Sequence, residues 1–426
     1  MKKTVLTVLV IGALAAGSLG SYGKTSAAGS TDFRDVPSSH WAASAIQSAV
    51  TAGYFKGYAD GTFKPGAAVS KAEMAAILGR LSDQPVDSSV SSRFTDVPAW
   101  AEEGVKAAVQ KGFIDPAAYS SGKLNANAPL SRGELAVWLT NGLAKVNADY
   151  GTALKDVTNT VVPAKEYFTG NLPAAQKNAV AVAMGTRLMS VGEDKQFGID
   201  RTTTRAEVAV LLARYEAAAH KQPADFQGLQ ELREVGLTGT NLKVIAPKYK
   251  VIPREMFTYY DDSYYDNAKI TDDFSKVRNK ELVTVTNYAD VKVKNWIVIS
   301  PYATGEQRSI YYPVFLDEGQ NNLLRGDYYS FPEFDMTIKG TMTALQAGSL
   351  IQSPTIDALF SPRSKASSAY SISKIDDYNV GFGAVFKDKN PAYWGEGLLH
   401  FDKALVPEVK LTSKDGVNYW VRSENK

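Results

Sequence analysis

The chain has 426 residues, with 47 basic and 45 acidic side chains, three histidines and no cysteine. The missing cysteine excludes disulfides, a thiolate nucleophile, Cys-ligated zinc and iron–sulfur clusters. A formal net charge of +2 supplies no basic excess for a dedicated nucleic-acid binder.

From the N-terminus, Lys2 and Lys3 precede an apolar run, Val5 to Ala16, and then small residues at Ser26-Ala27-Ala28. This is the pattern of a secretory signal peptide cleaved before Gly29, too short to span a membrane comfortably. Removing residues 1–28 leaves 44 basic against 45 acidic side chains. No later apolar run predicts a transmembrane segment. The C-terminal residues show neither a hydrophobic tail nor a covalent wall-sorting signal, so non-covalent retention or release is expected.

Self-similarity fills the first half. Phe33-Arg34-Asp35-Val36 recurs as Phe94-Thr95-Asp96-Val97 and as Leu154-Lys155-Asp156-Val157. Val69-Ser70-Lys71-Ala72-Glu73 recurs as Leu130-Ser131-Arg132-Gly133-Glu134 and as Thr203-Thr204-Arg205-Ala206-Glu207. The Asp-to-Glu distance is 38 residues in the first two copies and 51 in the third. The third copy is therefore expected to carry 13 extra residues within 158–172, before its first helix.

Each copy reads as helix, loop, helix. Ala42, Ala45, Ile46, Ala49 and Val50 follow helical spacing, and Asp60-Gly61 marks a turn. Met74, Ile77, Leu78 and Leu81 share one face of the second helix. Leu135, Trp138 and Leu139 are equivalent in copy two, and Val208, Leu211, Leu212 and Tyr215 in copy three. No copy can bury its stripes alone, so the three are expected to share a core.

Ser70-x-x-Glu73, Ser131-x-x-Glu134 and Thr204-x-x-Glu207 are capping boxes. They leave unexplained the cation at the first helical position, Lys71, Arg132 or Arg205, which opposes the helix dipole. An anion held by free backbone N–H groups and the cation would compensate; a salt bridge to a neighbouring copy is the alternative. Trp41 and Trp100 lie near the first helices of copies one and two, as sugar platforms or as core. The third copy has no tryptophan there, and Tyr167 and Phe168 are the aromatic substitutes on offer.

Repeat one, from Phe33-Arg34-Asp35-Val36 through His40-Trp41-Ala42 and Gly57-Tyr58-Ala59-Asp60-Gly61-Thr62-Phe63-Lys64-Pro65 to Ser70-Lys71-Ala72-Glu73, resembles an S-layer homology domain. Thr204-Arg205-Ala206-Glu207 matches that family's signature. The resemblance covers about residues 30–216. It implies an all-α, pseudo-threefold bundle that binds a secondary cell-wall polysaccharide, often one with ketal-linked pyruvate, in grooves between repeats. It also implies a secreted protein of a Gram-positive wall or S-layer. By motif, the implied carbohydrate contacts are Asp35, Trp41, Gly61 and Lys71; Asp96, Trp100 and Arg132; and Asp156 and Arg205. Repeat two lacks the Asp-Gly-Thr-Phe loop and repeat three lacks the His-Trp element, so not every groove need bind.

Residues 217–224 read as a helix end and linker. Beyond them 15 of the 22 tyrosines accumulate, and alternation replaces helical spacing. Val283, Val285, Val291 and Val293 alternate around a turn at Asn287–Asp290. Phe334, Met336 and Ile338 alternate with polar residues. Val409 and Leu411 face Val417, Tyr419 and Val421 across Lys414-Asp415-Gly416. Residues 225–426 are predicted to be a mainly β domain, sandwich or barrel-like, with an early helix near 226–235.

No catalytic constellation emerges there. Ser371-Ile372-Ser373-Lys374 lacks the companion motifs of penicillin-binding enzymes. Asp261, Asp262, Asp266, Asp272 and Asp273 could hold calcium but lack the EF-hand glycine and glutamate, so no cofactor is expected. Arg325-Gly326-Asp327 is a three-residue match only. The expectation is a non-enzymatic, wall-anchored surface protein that displays a structural, adhesive or self-assembling domain. The alternative is a wall-anchored glycan hydrolase with its carboxylates in 225–426.

Overall fold

The computed structural model describes residues 32–424, apart from 82–85, 88, 90, 249–266, 319–327, 344–345, 347–349, 352–364, 374–384, 388–391, 396 and 399–406. Repeat one supplies helices α1 (Ala43–Thr51) and α2 (Lys71–Leu78). Repeat two supplies α3 (Glu102–Gln110) and α4 (Arg132–Val146), followed by α5 (Ala148–Asp156). Then come the single turn α6 (Lys165–Phe168), α7 (Ala174–Gly185) and α8 (Arg205–Ala219).

The second helix of each repeat packs on the first helix of the next: α2 on α3, α4 on α7, and α8 back on α1. Contact is close because small residues face each other. A Cβ on Gly104 would lie 2.6 Å from the Ala76 Cα. The apolar stripes expected at Met74, Ile77, Leu78, Leu135, Trp138, Leu139, Val208, Leu211, Leu212 and Tyr215 are buried in one core. Each contributes roughly 1.5–3 kcal/mol of hydrophobic stabilisation.

A cyclic set of backbone hydrogen bonds joins the segments that enter α2, α4 and α8. Val69 N–H donates to Thr203 O (3.0 Å), Thr203 N–H to Leu130 O (3.2 Å), and Leu130 N–H to Val69 O (2.9 Å). The next N–H groups run round the ring in the opposite sense, each repeat donating to the one that follows it. Lys71, Arg132 and Arg205 donate to the carbonyls of Ala128, Arg201 and Ala67, and Ala72, Gly133 and Ala206 to those of Ala126, Ile199 and Pro65. Ser70, Ser131 and Thr204 Oγ accept from the N3 N–H groups. The bare N–H groups expected to hold an anion are therefore occupied by the neighbouring repeat. Capping boxes are complete at α2 and α8 only. At α4, Glu134 instead takes a salt bridge from Lys71 at 2.7 Å.

The third landmark aspartate is also reassigned. Asp35 accepts from the N–H groups of Phe63 and Lys64, and Asp96 from those of Leu124 and Asn125. The equivalent carboxylate in repeat three is Glu166, which accepts from Phe197 N–H (2.9 Å) and Gly198 N–H (2.7 Å). Asp156 lies at the end of α5 and pairs with Arg233 at 2.9 Å. Measured from Glu166, repeat three is only three residues longer than its neighbours. The extra chain lies between repeats, where α5 runs, because a longer carboxylate on α6 takes over the loop tie.

Residues 217–224 pass through a short turn into α9 (Gln227–Thr238) without leaving the core. Helix α9 packs on α5 and α7. A Cβ on Gly236 would stand 2.0 Å from the Asp156 carbonyl oxygen, so only glycine permits this approach. Strands β1 (Lys269–Thr271), β2 (Ala289–Ile299), β3 (Tyr329–Ile338), β4 (Thr341–Thr343), β5 (Val385–Lys387), β6 (Ala392–Trp394), β7 (Gly397–Leu398), β8 (Glu408–Thr412) and β9 (Asn418–Arg422) form three small sheets. Their orders are β1-β9-β8, β2-β3-β6 with β7 also on β3, and β4-β5. No closed barrel is present among the described residues.

The β2–β3 pair divides two cores. Ile297, Ile299, Tyr329, Phe331 and Trp394 join the core of the helical repeats. Val291, Val293, Trp296, Val298, Phe334, Met336 and Ile338 belong to a second core with Val409, Leu411, Tyr419 and Val421. The alternation expected at 334–338 and the 409–421 hairpin are present. Val283 and Val285 depart from expectation. They are exposed and bond through their backbone N–H groups to Thr412 and Leu350, outside any named strand.

Candidate functional site: a groove between repeats

Each repeat loop is built on the same turn. In repeat one, Asp60 Oδ1 accepts from Thr62 N–H, Gly61 is left-handed (φ 76°), and Arg34 N–H donates to its carbonyl. In repeat two, Ser121 Oγ accepts from Lys123 N–H, Gly122 is left-handed (φ 65°), and Thr95 N–H donates to it. In repeat three, Asp194 accepts from Gln196 N–H, Lys195 is left-handed (φ 66°), and Lys165 N–H donates to it. The divergent loop sequences thus hide one conformation. A non-glycine residue in that region costs about 1–2 kcal/mol. Lys195→Gly is expected to stabilise the protein by about 0.5–1 kcal/mol after the greater chain entropy of glycine is counted, measured by denaturant unfolding.

Two of the carboxylates that tie these loops, Asp35 and Asp96, are held in their charged form. Burial opposes charge at Asp35, but the backbone N–H groups of Phe63 and Lys64 outweigh it and lower the pKa below 3.8. Asp96 behaves alike, with Leu124 and Asn125 as donors. A lowered carboxylate pKa contributes stability that is full above the unfolded value and is lost as pH falls through the folded one. The stability gap between wild type and an Asp35→Asn/Asp96→Asn variant is therefore expected at pH 6 and should shrink below about pH 3.8. Thermal melts across pH would check it.

Beside the loops stand the N1 cations. Arg132 is buried; its Nε donates to Phe197 O (2.8 Å) and its Nη2 to Ser190 O (2.9 Å), with the guanidinium over the Phe197 ring. Arg205 repeats this with Phe63 O (2.8 Å) and Lys56 O (2.9 Å), packed against Phe55, Tyr58 and Phe63. Burial pushes both pKa values down. Lys71 differs. It is neutralised by Glu134, which also accepts from Tyr119 Oη at 2.8 Å, and Trp138 Nε1 donates to that same hydroxyl. Burial and then the Glu134 charge push the Tyr119 pKa up.

A cavity of about 580 Å³ opens between the repeats at Arg132. Its walls come from all three: Trp41 of repeat one, Arg132 of repeat two, and the 189–198 loop with Arg201, Glu207, Leu211 and Arg214 of repeat three. The groove is open for a legible reason. At the positions of Tyr58 and Tyr119, repeat three has Gly192, and where Lys64 and Asn125 project, it has Gly198. Trp41 is 56% exposed and stacked by His40, whose Nδ1 accepts from Ala42 N–H. Trp100 is 63% exposed at the matching place in repeat two. Leu172 fills that place in repeat three. Phe168 instead packs on Tyr370 and Trp394 of the second half, and Tyr167 packs edge-on to Phe168, so neither replaces the tryptophan.

The sequence-predicted residues are thus distributed unevenly. Trp41 and Arg132 meet at one cavity. Asp35, Asp96 and Gly61 shape loops, Lys71 is paired, and Asp156 lies at the junction with α9. Gly192, Gly198, Arg201 and Glu166 were not singled out by motif; aligning the loops by their hydrogen bonds, not by residue identity, reveals them. Of the acidic cluster, Asp272 pairs with Lys243 (3.4 Å), Asp273 caps Ser275 N–H, and Asp261, Asp262 and Asp266 lie outside the described residues. No three potential metal ligands group together among the described residues. Lys374 and the Arg325–Asp327 tripeptide also lie outside them.

The S-layer homology domain family matches residues 32–75 and 93–136. The chain carries S-layer homology domains. The third helical unit is assigned by its geometry, since the two family matches end at residue 136. The chain is 29% identical over 192 residues to "S-layer protein sap" of Bacillus anthracis, covering 44% of this chain and 21% of that protein. It is 33% identical over 136 residues to "Cell surface glycoprotein 1" of Acetivibrio thermocellus, covering 29% and 6%. A "Cellulosome-anchoring protein" of the same organism is 31% identical over 130 residues, covering 29% and 28%. The chain therefore spans less than a third of the length of each of these relatives. No helix among the described residues is long and apolar enough to cross a membrane.

Proposed function

We propose that the S-layer homology repeats hold this protein non-covalently on the cell wall by binding an acidic secondary wall polysaccharide, pyruvylated sugar being the expected ligand. The observation that carries this is the cavity shared by Trp41 and Arg132. The indole offers an apolar face to a sugar ring. Arg132 presents a guanidinium fixed in place by two carbonyls, suited to a carboxylate. The names of the matched S-layer and anchoring proteins support the same reading. Of the three grooves this one is best prepared, since Tyr58 lies over Arg205 and Tyr119 with Glu134 occupies Lys71. The second half would be the displayed part, non-enzymatic on this reading.

Alanine at Arg132 or Arg205 also strands buried carbonyls, so loss of binding there would be confounded with loss of fold. Trp41→Ala removes an exposed ring and is the cleaner test. It is expected to weaken binding to purified sacculi about tenfold, about 1.4 kcal/mol, with an unchanged melting temperature. Full binding by this variant would overturn the assignment.

A further inference from the structure

Arg201 occupies a position that is alanine in the other two repeats. The three carbonyls accepting the N1 N–H groups belong to Ala67, Ala128 and Arg201, so these residues are structurally equivalent. Only in the groove of Arg132 does this position carry a charge. Arg201 lines the same cavity. The Cβ position of Gly198 lies 3.5 Å from Arg201 Nε and 3.8 Å from Arg132 Cδ. The two arginines therefore run side by side over a residue with no side chain.

Their surroundings are unequal. Arg201 is half-exposed and bridges to Glu207 at 2.7 Å. Arg132 is bonded to backbone carbonyls, and burial, followed by the like charge of Arg201, pushes its pKa down. Glu207 is shared with the Thr204 N–H as part of the α8 cap. Three guanidiniums, Arg132, Arg201 and Arg214, thus face the cavity with the carboxylates of Glu193, Asp194 and Glu207, and Glu207, the one bridged to Arg201, is engaged in capping. Like charges so placed repel unless an anion joins them.

We propose that Arg201 is a second ligand-contacting cation, which makes this groove a two-guanidinium clamp for a carboxylate-bearing sugar and sets it apart from the other two. This rests on the wall-polysaccharide reading and deepens it. Arg132 is the rigid half of the clamp, while Arg201, released from Glu207, is the half that closes on the acid.

The test compares wild type, Arg201→Gln and Trp41→Ala in the full chain. Binding is measured to native sacculi and to sacculi whose carboxylates have been amidated. Circular dichroism and thermal melts confirm folding. Arg201→Gln is expected to bind native sacculi about tenfold more weakly and with less sensitivity to salt. On amidated sacculi it should match wild type. If Arg201→Gln binds native sacculi like wild type while Trp41→Ala does not, the clamp is overturned and the wall reading stands. If neither variant loses binding, the wall reading falls too. Equal loss on native and amidated sacculi would make Arg201 a structural residue and overturn the clamp.

Discussion

Gly192→Tyr is expected to abolish binding to cell-wall sacculi, by 100-fold or more, while leaving the fold intact. A hundredfold loss corresponds to about 2.7 kcal/mol. The reasoning comes from the other two loops, where the same position is Tyr58, lying over Arg205, and Tyr119, bonded to Glu134. A tyrosine at 192 would lie over Arg132 as Tyr58 lies over Arg205, occupying the cavity that Trp41 and Arg201 line. The backbone tolerates the change. A Cβ at 192 meets Asp194 Oδ1 at 2.9 Å and the Gln196 carbonyl oxygen at an ordinary 3.8 Å; the carboxylate is the end of a side chain that can shift, at the expense of its bond from Gln196 N–H. Sedimentation with sacculi, together with a melting curve, decides the outcome. Undiminished binding would place the ligand elsewhere.

Gly236→Ala is expected to destabilise the protein by about 3 kcal/mol. The methyl would meet the Asp156 carbonyl oxygen at 2.0 Å, and a backbone atom cannot rotate aside. Helix α9 would be pushed off α5 and α7, taking Leu229, Leu232 and Val235 out of the repeat core. The two halves share that core through Ile297, Ile299, Phe331 and Trp394, so the damage should not stay local. A single unfolding transition at lower denaturant, seen by both tryptophan fluorescence and far-ultraviolet circular dichroism, is the expected result. An unchanged midpoint would mean that α9 is not part of the bundle.

The helical half was legible because its signals are local. Apolar spacing placed α2, α4 and α8, and Ser/Thr-x-x-Glu marked their first turns. What sequence could not show was who satisfies whom across 54 or more residues. Capping motifs do not reveal that the next N–H groups are taken by Ala126, Ala128, Ile199, Arg201, Pro65 and Ala67. Nor does a motif search find Glu166, which does from one turn of helix what Asp35 and Asp96 do from a loop. Matching identical letters led to Asp156, four residues of resemblance without the geometry.

In the second half the limit was different. The β3 alternation was readable because that stretch has one buried face. The Asn295–Ile299 stretch was not, because beyond the bulge after Val293 both faces of β2 are covered and the period of two disappears. The groove was half legible. Trp41 and Arg132 carried a signal as large residues in a motif, whereas Gly192 and Gly198 matter through atoms they lack.

The ring of hydrogen bonds among Val69, Leu130 and Thr203 has a consequence for how this module comes into being. Open-ended repeat arrays can grow from any point and accept extra units. A ring cannot. Its last bond joins residues 69 and 203, so the first repeat must wait for the third, a contact distant in sequence and slow to form. Neither a single repeat nor a pair would complete the groove lined by Trp41, Arg132 and Arg201, and a fourth copy would have nowhere to insert. The number three is set by closure, and a nascent chain lacks that groove until its third repeat is in place.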